Sequence, residues 1–280
     1  MFGIKYSYLC GMNETFTPTE LASIAEKVAQ LSLQIGGWMK LQTIEEGTAD
    51  TKTYNNLVTF VDKESERRFV DGLRQIVPSA GFIAEEGTGE PSASGLNWVI
   101  DPLDGTTNFV HGVPIWCTSV ALCQRHIPLV GVIFDPNINE LYVASLGNGA
   151  TLNGKSIHVS KVAPLEKALL ATGFPYDDFG REDLYFQLLK DLTHSTRGMR
   201  RLGSAALDMA WTACGRLEGF YEYGLNSWDV AAGTVIIREA KGFVTTFHGG
   251  DDPIFGEDLI CTNALIYEEL KAVIERHFKA

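Results

Sequence analysis

The chain has 280 residues, 45% hydrophobic and 21% charged, with a mean hydropathy close to zero, which is enough for one large core or two joined halves. Its net charge of -12 and the lack of a Lys/Arg cluster argue against a nucleic-acid partner. No run of about 18 apolar residues is present to cross a bilayer, so no membrane partner is expected.

Residues 1–11 follow no periodic pattern. Met12 is read as the natural start, with 1–11 an extension dispensable for activity. "TPTE" at Thr17–Glu20 then has the spacing of a helix capping box, with Pro18 at the first helical position. Leu21, Ile24, Ala25, Val28 and Leu31 continue it at helical spacing. A second helix is expected from Asp62, with Phe69, Val70, Leu73, Ile76 and Val77 on one face, ending before Pro78. Five short apolar runs follow: "GFIA" (81–84), "NWVI" (97–100), "TSVALC" (118–123), "PLVGVIF" (128–134) and "ELYVAS" (140–145). Separated by Gly, Pro and Asn, they read as strands of a largely antiparallel sheet.

Beyond "GNGATLNGK" the pattern alternates. Helices are expected over 204–214, 228–240 and 265–279, and strands over 217–223, 243–247 and 259–262. The chain therefore divides into an α+β half over 12–147, carrying most of the acidic site residues, and an α/β half over 148–280 that completes the site. The five cysteines are odd in number and contain no C-x-x-C, so neither a disulfide framework nor a thiolate zinc site is indicated. Reduced core thiols in a cytoplasmic protein are the expectation.

Acidic residues recur where elements end. Glu85 and Glu86 follow "GFIA", Asp101 and Asp104 follow "NWVI", and Asp229 opens a helix after Trp228. Clustered carboxylates repel and raise one another's pKa, a cost that a hard divalent cation such as Mg²⁺ removes. In "DPLDGTT", Pro102 stiffens the backbone, Leu103 offers its carbonyl and Gly105 permits a sharp turn. The amides of Gly105 and Thr106 suit phosphate oxygens, and the Thr106 hydroxyl can hold a water against Glu85. The bland readings are a solvated Asp-Pro turn for Asp101 and Asp104, a helix cap for Asp229 and an ordinary strand end for Glu85 and Glu86. Arg197, Arg200 and Arg201 read as surface or dimer-interface salt bridges ahead of any role with phosphate.

"GFIAEEG", "WVIDPLDGTTNFVHG", "RRLGSAALDMA" and "WDVAAGTVIIREAKG" resemble, in order and spacing, the successive signatures of the inositol monophosphatase family over about residues 12–275. The resemblance implies a layered α/β/α/β/α sandwich, a homodimer, and Mg²⁺-dependent, lithium-sensitive hydrolysis of phosphate monoesters. Two or three Mg²⁺ ions per site are implied, with Mn²⁺ able to substitute. By the same resemblance Glu85, Asp101 and the Leu103 carbonyl hold one ion, and Asp101, Asp104 and Asp229 a second. Thr106 with Glu85 orients the attacking water; Glu85, Thr106 and Asp104 form the catalytic set. Gly105, Thr106, Ala205, Glu222 and Asp229 contact the substrate, while Glu86, Asp62 and Lys52 stand behind the ligands. Two matches are looser. Asn56 in "NNLVTFVD" stands where Asp is common in the family, and Lys52 matches a mobile-loop lysine only to within a residue.

The substrate expected first is myo-inositol 1-phosphate or a related polyol phosphate. Fructose-1,6-bisphosphatase, histidinol-phosphate phosphatase and 3′-phosphoadenosine 5′-phosphate phosphatase activities remain open on the same scaffold. So does a non-catalytic regulatory protein that binds a protein or RNA partner.

Overall fold

The computed structural model describes residues 16–42, 50–53, 56–174, 179–250, 252–256 and 258–278; for 50–53 and 56–57 only the backbone is described. The expected extension over 1–11 and the start at Met12 lie outside these residues, as does Cys10. So do the side chains of Lys52 and Asn56.

Helix α1 (Pro18–Met39) begins as its sequence dictates, with Thr17 and Glu20 closing a reciprocal capping box. After a short hairpin of β1 (Asp50–Thr53) and β2 (Asn56–Val58), α2 spans Phe60–Ile76. It therefore starts two residues before the expected Asp62. Thr59 is the cap, and Asp62 is its partner three residues on, accepting from the Thr59 N–H at 2.8 Å and hydroxyl at 2.6 Å.

Seven strands then form one sheet in the order β3-β4-β5-β6-β7-β8-β9. They are β3 (Gly81–Ala84), β4 (Leu96–Asp104), β5 (Cys117–Gln124), β6 (Ile127–Asp135), β7 (Glu140–Ser145), β8 (Ala150–Leu152) and β9 (Lys155–Ser156). Only β3 and β4 pair in parallel; the other pairs are antiparallel, as the alternating turns imply. Strand β4 does not end at Ile100. It runs on through Asp101 and Asp104, which still face Ser119 and Cys117 of β5 across a register shift. Strands β8 and β9 extend this sheet to Ser156, past the division expected between residues 147 and 148.

The short helix α3 (Thr106–Val110) follows Gly105, whose φ of 95° is left-handed and easy only for glycine. The second sheet has the order β11-β10-β12-β14-β13: β10 (Leu169–Thr172), β11 (Gly198–Arg200), β12 (Gly219–Tyr223), β13 (Phe243–Thr245) and β14 (Asp258–Thr262). Its β10–β11 and β10–β12 pairs are parallel. Four helices complete the chain: α4 (Glu182–Ser195), α5 (Ala205–Ala213), α6 (Ser227–Glu239) and α7 (Tyr267–His277).

Three apolar clusters define the layers. One joins α1 and α2 to the first sheet, and a second lies between the sheets around α5 and α6. The third packs α4 and α7 on the far side of the second sheet. The result is the expected α/β/α/β/α sandwich. Helix α6 can occupy the middle layer because its "DVAAGTVII" stretch is small and apolar on nearly every side. Its approach to β6 depends on Gly131: a Cβ there would overlap Val235 and lie 2.6 Å from the Ala232 carbonyl.

Candidate active site

The end of β4, the start of α3, the first turns of α5 and α6, and β12 converge on one cavity of about 370 Å³. Its lining includes Glu85, Asp101, Leu103, Asp104, Gly105, Thr106, Ala205, Glu222 and Asp229. Side chains expected from four separate stretches of sequence thus share one space. Glu86 and Asp62 are not in the lining. Glu86 donates its backbone N–H to the buried Glu66 carboxylate at 2.7 Å, and Thr88 N–H does the same at 2.8 Å. Glu66, which sequence reading passed over, thereby pins the turn that carries Glu85.

Asp101 is 3% exposed, and its Oδ1 accepts from the Leu103 N–H at 2.9 Å. Burial, followed by the charges of Glu85, Asp104 and Asp229, pushes its carboxyl well above the ordinary range. Asp104 is also raised by burial, against hydrogen bonds from Ser204 and Ala206 and the Arg201 charge. Asp229 lies at the third position of α6 and accepts from the Asn226 N–H at 2.6 Å. It too is pushed well upward, by burial and then by Asp104. The cap of α6 is Asn226, not Asp229, which is the capping-box partner three residues on and lines the cavity as well.

The Thr106 hydroxyl lies 3.0 Å from Asp62 Oδ1 and 3.0 Å from the Leu103 carbonyl oxygen. Its direct carboxylate neighbour is thus Asp62, brought in by α2, beside the expected Glu85. Asp62 is buried and raised for that reason, with the Thr59 and Thr106 hydrogen bonds opposing the shift.

The opposite wall is built by the second sheet and α5. Glu222 on β12 is 7% exposed and strongly raised by burial, with Arg201 opposing. Its carboxylate presses on the backbone of Gly173, where a Cβ would overlap it. Asp208 on α5, which sequence reading missed, also lines the cavity; it is 2% exposed, and its Oδ1 is buried without a hydrogen-bond partner. Burial and then the Glu222 and Asp104 charges raise it strongly. Arg201 corrects the surface reading given to it. Although solvent-exposed overall, it lines the cavity, lies 5.6 Å over the Phe174 ring and favours the charged forms of Asp104, Asp208 and Glu222. Arg197 and Arg200 are exposed and outside the lining.

The donor set fits a hard divalent cation. Its oxygens come from carboxylates that raise one another's pKa and from the Leu103 carbonyl. Among the described residues no group of three or more His, Cys, Asp or Glu side chains stands arranged to hold a metal ion. Mg²⁺ keeps several of its own waters, so a cage closed by protein side chains is not required of such a site.

The chain is thus a layered α/β sandwich whose oxygen-rich cavity is lined from both sheets and the helices between them, and comparison with known proteins defines it further. The sequence profile of the inositol monophosphatase family matches residues 13–279, and the chain belongs to that family. It is 40% identical over 266 residues to an inositol-1-monophosphatase of Synechocystis, covering 92% of this chain and 91% of the relative. It is 36% identical over 254 residues to a putative Nus factor SuhB of Neisseria meningitidis serogroup B, covering 90% and 95%. The solved inositol monophosphatase of Anabaena superposes with a TM-score of 0.80 at 36% identity, over 91% of this chain and 96% of that one. A more distant structure, an IMPase/NADP phosphatase complexed with Mg²⁺ and phosphate, superposes with a TM-score of 0.77 at 25% identity, covering 90% and 95%.

Proposed function

We propose that the chain is a Mg²⁺-dependent phosphatase that hydrolyses myo-inositol 1-phosphate, or a related polyol phosphate, to the polyol and phosphate. The observation that carries this reading is the meeting of Asp101, Asp104 and Asp229 in one cavity, opposite Glu222 and Ala205. Two or three divalent ions, Mg²⁺ or Mn²⁺, would be held by Glu85, Asp101, the Leu103 carbonyl, Asp104 and Asp229. Bound there, they supply Lewis acidity and a water more acidic than bulk water.

The chain's own residues position and accept protons. With its O–H donated to Asp62, the Thr106 oxygen keeps lone pairs to accept from a water, which fixes that water's orientation. Amides at the start of α3, following left-handed Gly105, suit the phosphate oxygens. Glu222 and the Ala205 backbone suit the hydroxyls of the leaving polyol. No Ser/His or Cys/His pair is needed, because phosphoryl transfer rests on positioning and charge neutralisation.

Phosphate release from inositol 1-phosphate, fructose 1,6-bisphosphate, histidinol phosphate and 3′-phosphoadenosine 5′-phosphate, each with Mg²⁺ and after chelation, tests the reading. Fastest release from the inositol ester with Mg²⁺ supports it; no release from any of the four rejects it. The family background further supports a homodimer, lithium sensitivity and a cytoplasmic setting, which sizing chromatography, inhibition assays and fractionation address. The relative named as a putative Nus factor favours a second reading, a regulatory binding role alongside catalysis. Pull-down from lysate with and without Mg²⁺ examines it.

A further inference from the structure

Asp104 is anchored from behind by two donors on one oxygen. Its Oδ2 accepts from the Ser204 hydroxyl at 2.6 Å and from the Ala206 N–H at 2.7 Å. The Cys117 thiol, next door on β5, lies 3.9 Å from the same oxygen and 3.6 Å from the Ser204 hydroxyl. Ser204 has a second task. It is the N-cap of α5, and its Oγ accepts from the Leu207 N–H at 3.3 Å.

One buried hydroxyl therefore donates to an acid on β4 and accepts from the helix that carries Ala205. The Leu207 amide can only donate to Oγ, which leaves the O–H to donate to Asp104 Oδ2, its shortest polar contact. Both anchors fall on the same carboxylate oxygen, so rotation of the group is locked and the direction of Oδ1 is set with it. The carboxylate also stands at the positive end of α5, where the first-turn amides of Ala206 and Leu207 donate to Asp104 and Ser204 respectively. Ser204 thus joins the acidic wall of the cavity to the wall that faces a ligand.

We propose that Ser204 is a positioning residue that locks Asp104 onto the N-terminus of α5, and so couples divalent-cation binding at Asp104 to the order of the turn beginning at Ala205. The proposal rests on the cation-dependent function above. A cation meets an acid already oriented, and in binding it steadies the first turn of α5. Without the hydroxyl, Asp104 loses a charge-assisted donor and the freedom of its carboxylate returns.

The test titrates Mn²⁺ into the full-length protein by calorimetry and follows amide exchange at Ala206 and Leu207. It compares the wild type with Ser204→Ala, Ser204→Gly and Ser204→Thr. Alanine and glycine are expected to weaken Mn²⁺ binding alike, by ~10–100-fold, while threonine restores it. Mn²⁺ is expected to slow exchange at Ala206 in the wild type and the threonine variant only. Glycine separates the two tasks, because it keeps most of the strength of a helix cap but lacks the hydroxyl. Glycine also carries the test if the alanine variant fails to fold. Near wild-type Mn²⁺ binding in the glycine variant would mean that Ser204 merely caps the helix, and would overturn the proposal. A wild type that binds no Mn²⁺ and releases no phosphate rejects the phosphatase reading itself. A wild type that does both, beside alanine and glycine variants that bind equally well, rejects only the role of Ser204.

Discussion

Burial pushes the carboxyls of Asp101, Asp104 and Asp229 upward, and the charges of neighbouring acids add to this at Asp101 and Asp229. On the proposed function, Asp104→Asn and Asp229→Asn each remove a charge that a cation needs. Phosphate release at saturating Mg²⁺ is expected to fall at least ~100-fold in either variant; full activity in both would remove the cation assignment. Asp208 offers a different measurement. Burial keeps it protonated to higher pH in the fold than in the unfolded chain, so the folded state binds more protons over that interval. Stability must then fall as pH rises through it. Asp208→Asn removes this dependence, so its melting temperature without cation should gain on the wild type as pH is raised from about 4 to 8. A gap that does not change with pH would rule the argument out. The acids of "DPLDG" were legible in the sequence because carboxylates, Pro and Gly crowd a strand end. Ser204, Asp208 and Arg201 were not, since each looks like an ordinary helix or loop residue until another chain segment is folded against it.

At the scale of elements, α2 and α6 do most of the positioning. Asp62 and Glu66 lie four apart on one face of α2, so one buried helix surface meets both the Thr106 hydroxyl and the turn carrying Glu85. The capping boxes of α1 and α2 were readable or nearly so. The start of α2 was misplaced by two residues because Phe60, half exposed, carries no core signal. Helix α4 and strand β10 went unread for related reasons. Helix α4 buries only Tyr185, Leu188 and Leu192 among charged neighbours, and β10 is four residues long. Helix α6 lies against β6 at Gly131, where a Cβ would meet backbone as well as a side chain. Gly131→Ala is therefore expected to cost ~1–3 kcal/mol in chemical denaturation, as overpacked cores do. Because α6 carries Asp229, the same variant should also bind Mn²⁺ more weakly. An unchanged denaturation midpoint would show that the two elements separate freely.

Across the whole molecule, a net charge of -12 and a cavity lined by carboxylates oppose the compact state, an opposition that bound cations would relieve on the proposed function. Mg²⁺ at about 100 times its dissociation constant should add ~2.7 kcal/mol of stability. Chelation should lower the melting temperature of the wild type more than that of Asp104→Asn, which loses one of the ions; equal shifts in the two would place the stabilising ions away from Asp104. The course of β4 has a consequence of its own. Its two acids are spaced by the ladder to β5, while Glu222, Asp208 and Gly173 belong to the other sheet and its helix. On the proposed function, the acids of β4 serve the chemistry and the opposite wall faces the alcohol. Exchanging residues on β12 should then retune which alcohol is accepted, whereas the first turn of α5 must be kept because Ser204 and Ala206 hold Asp104.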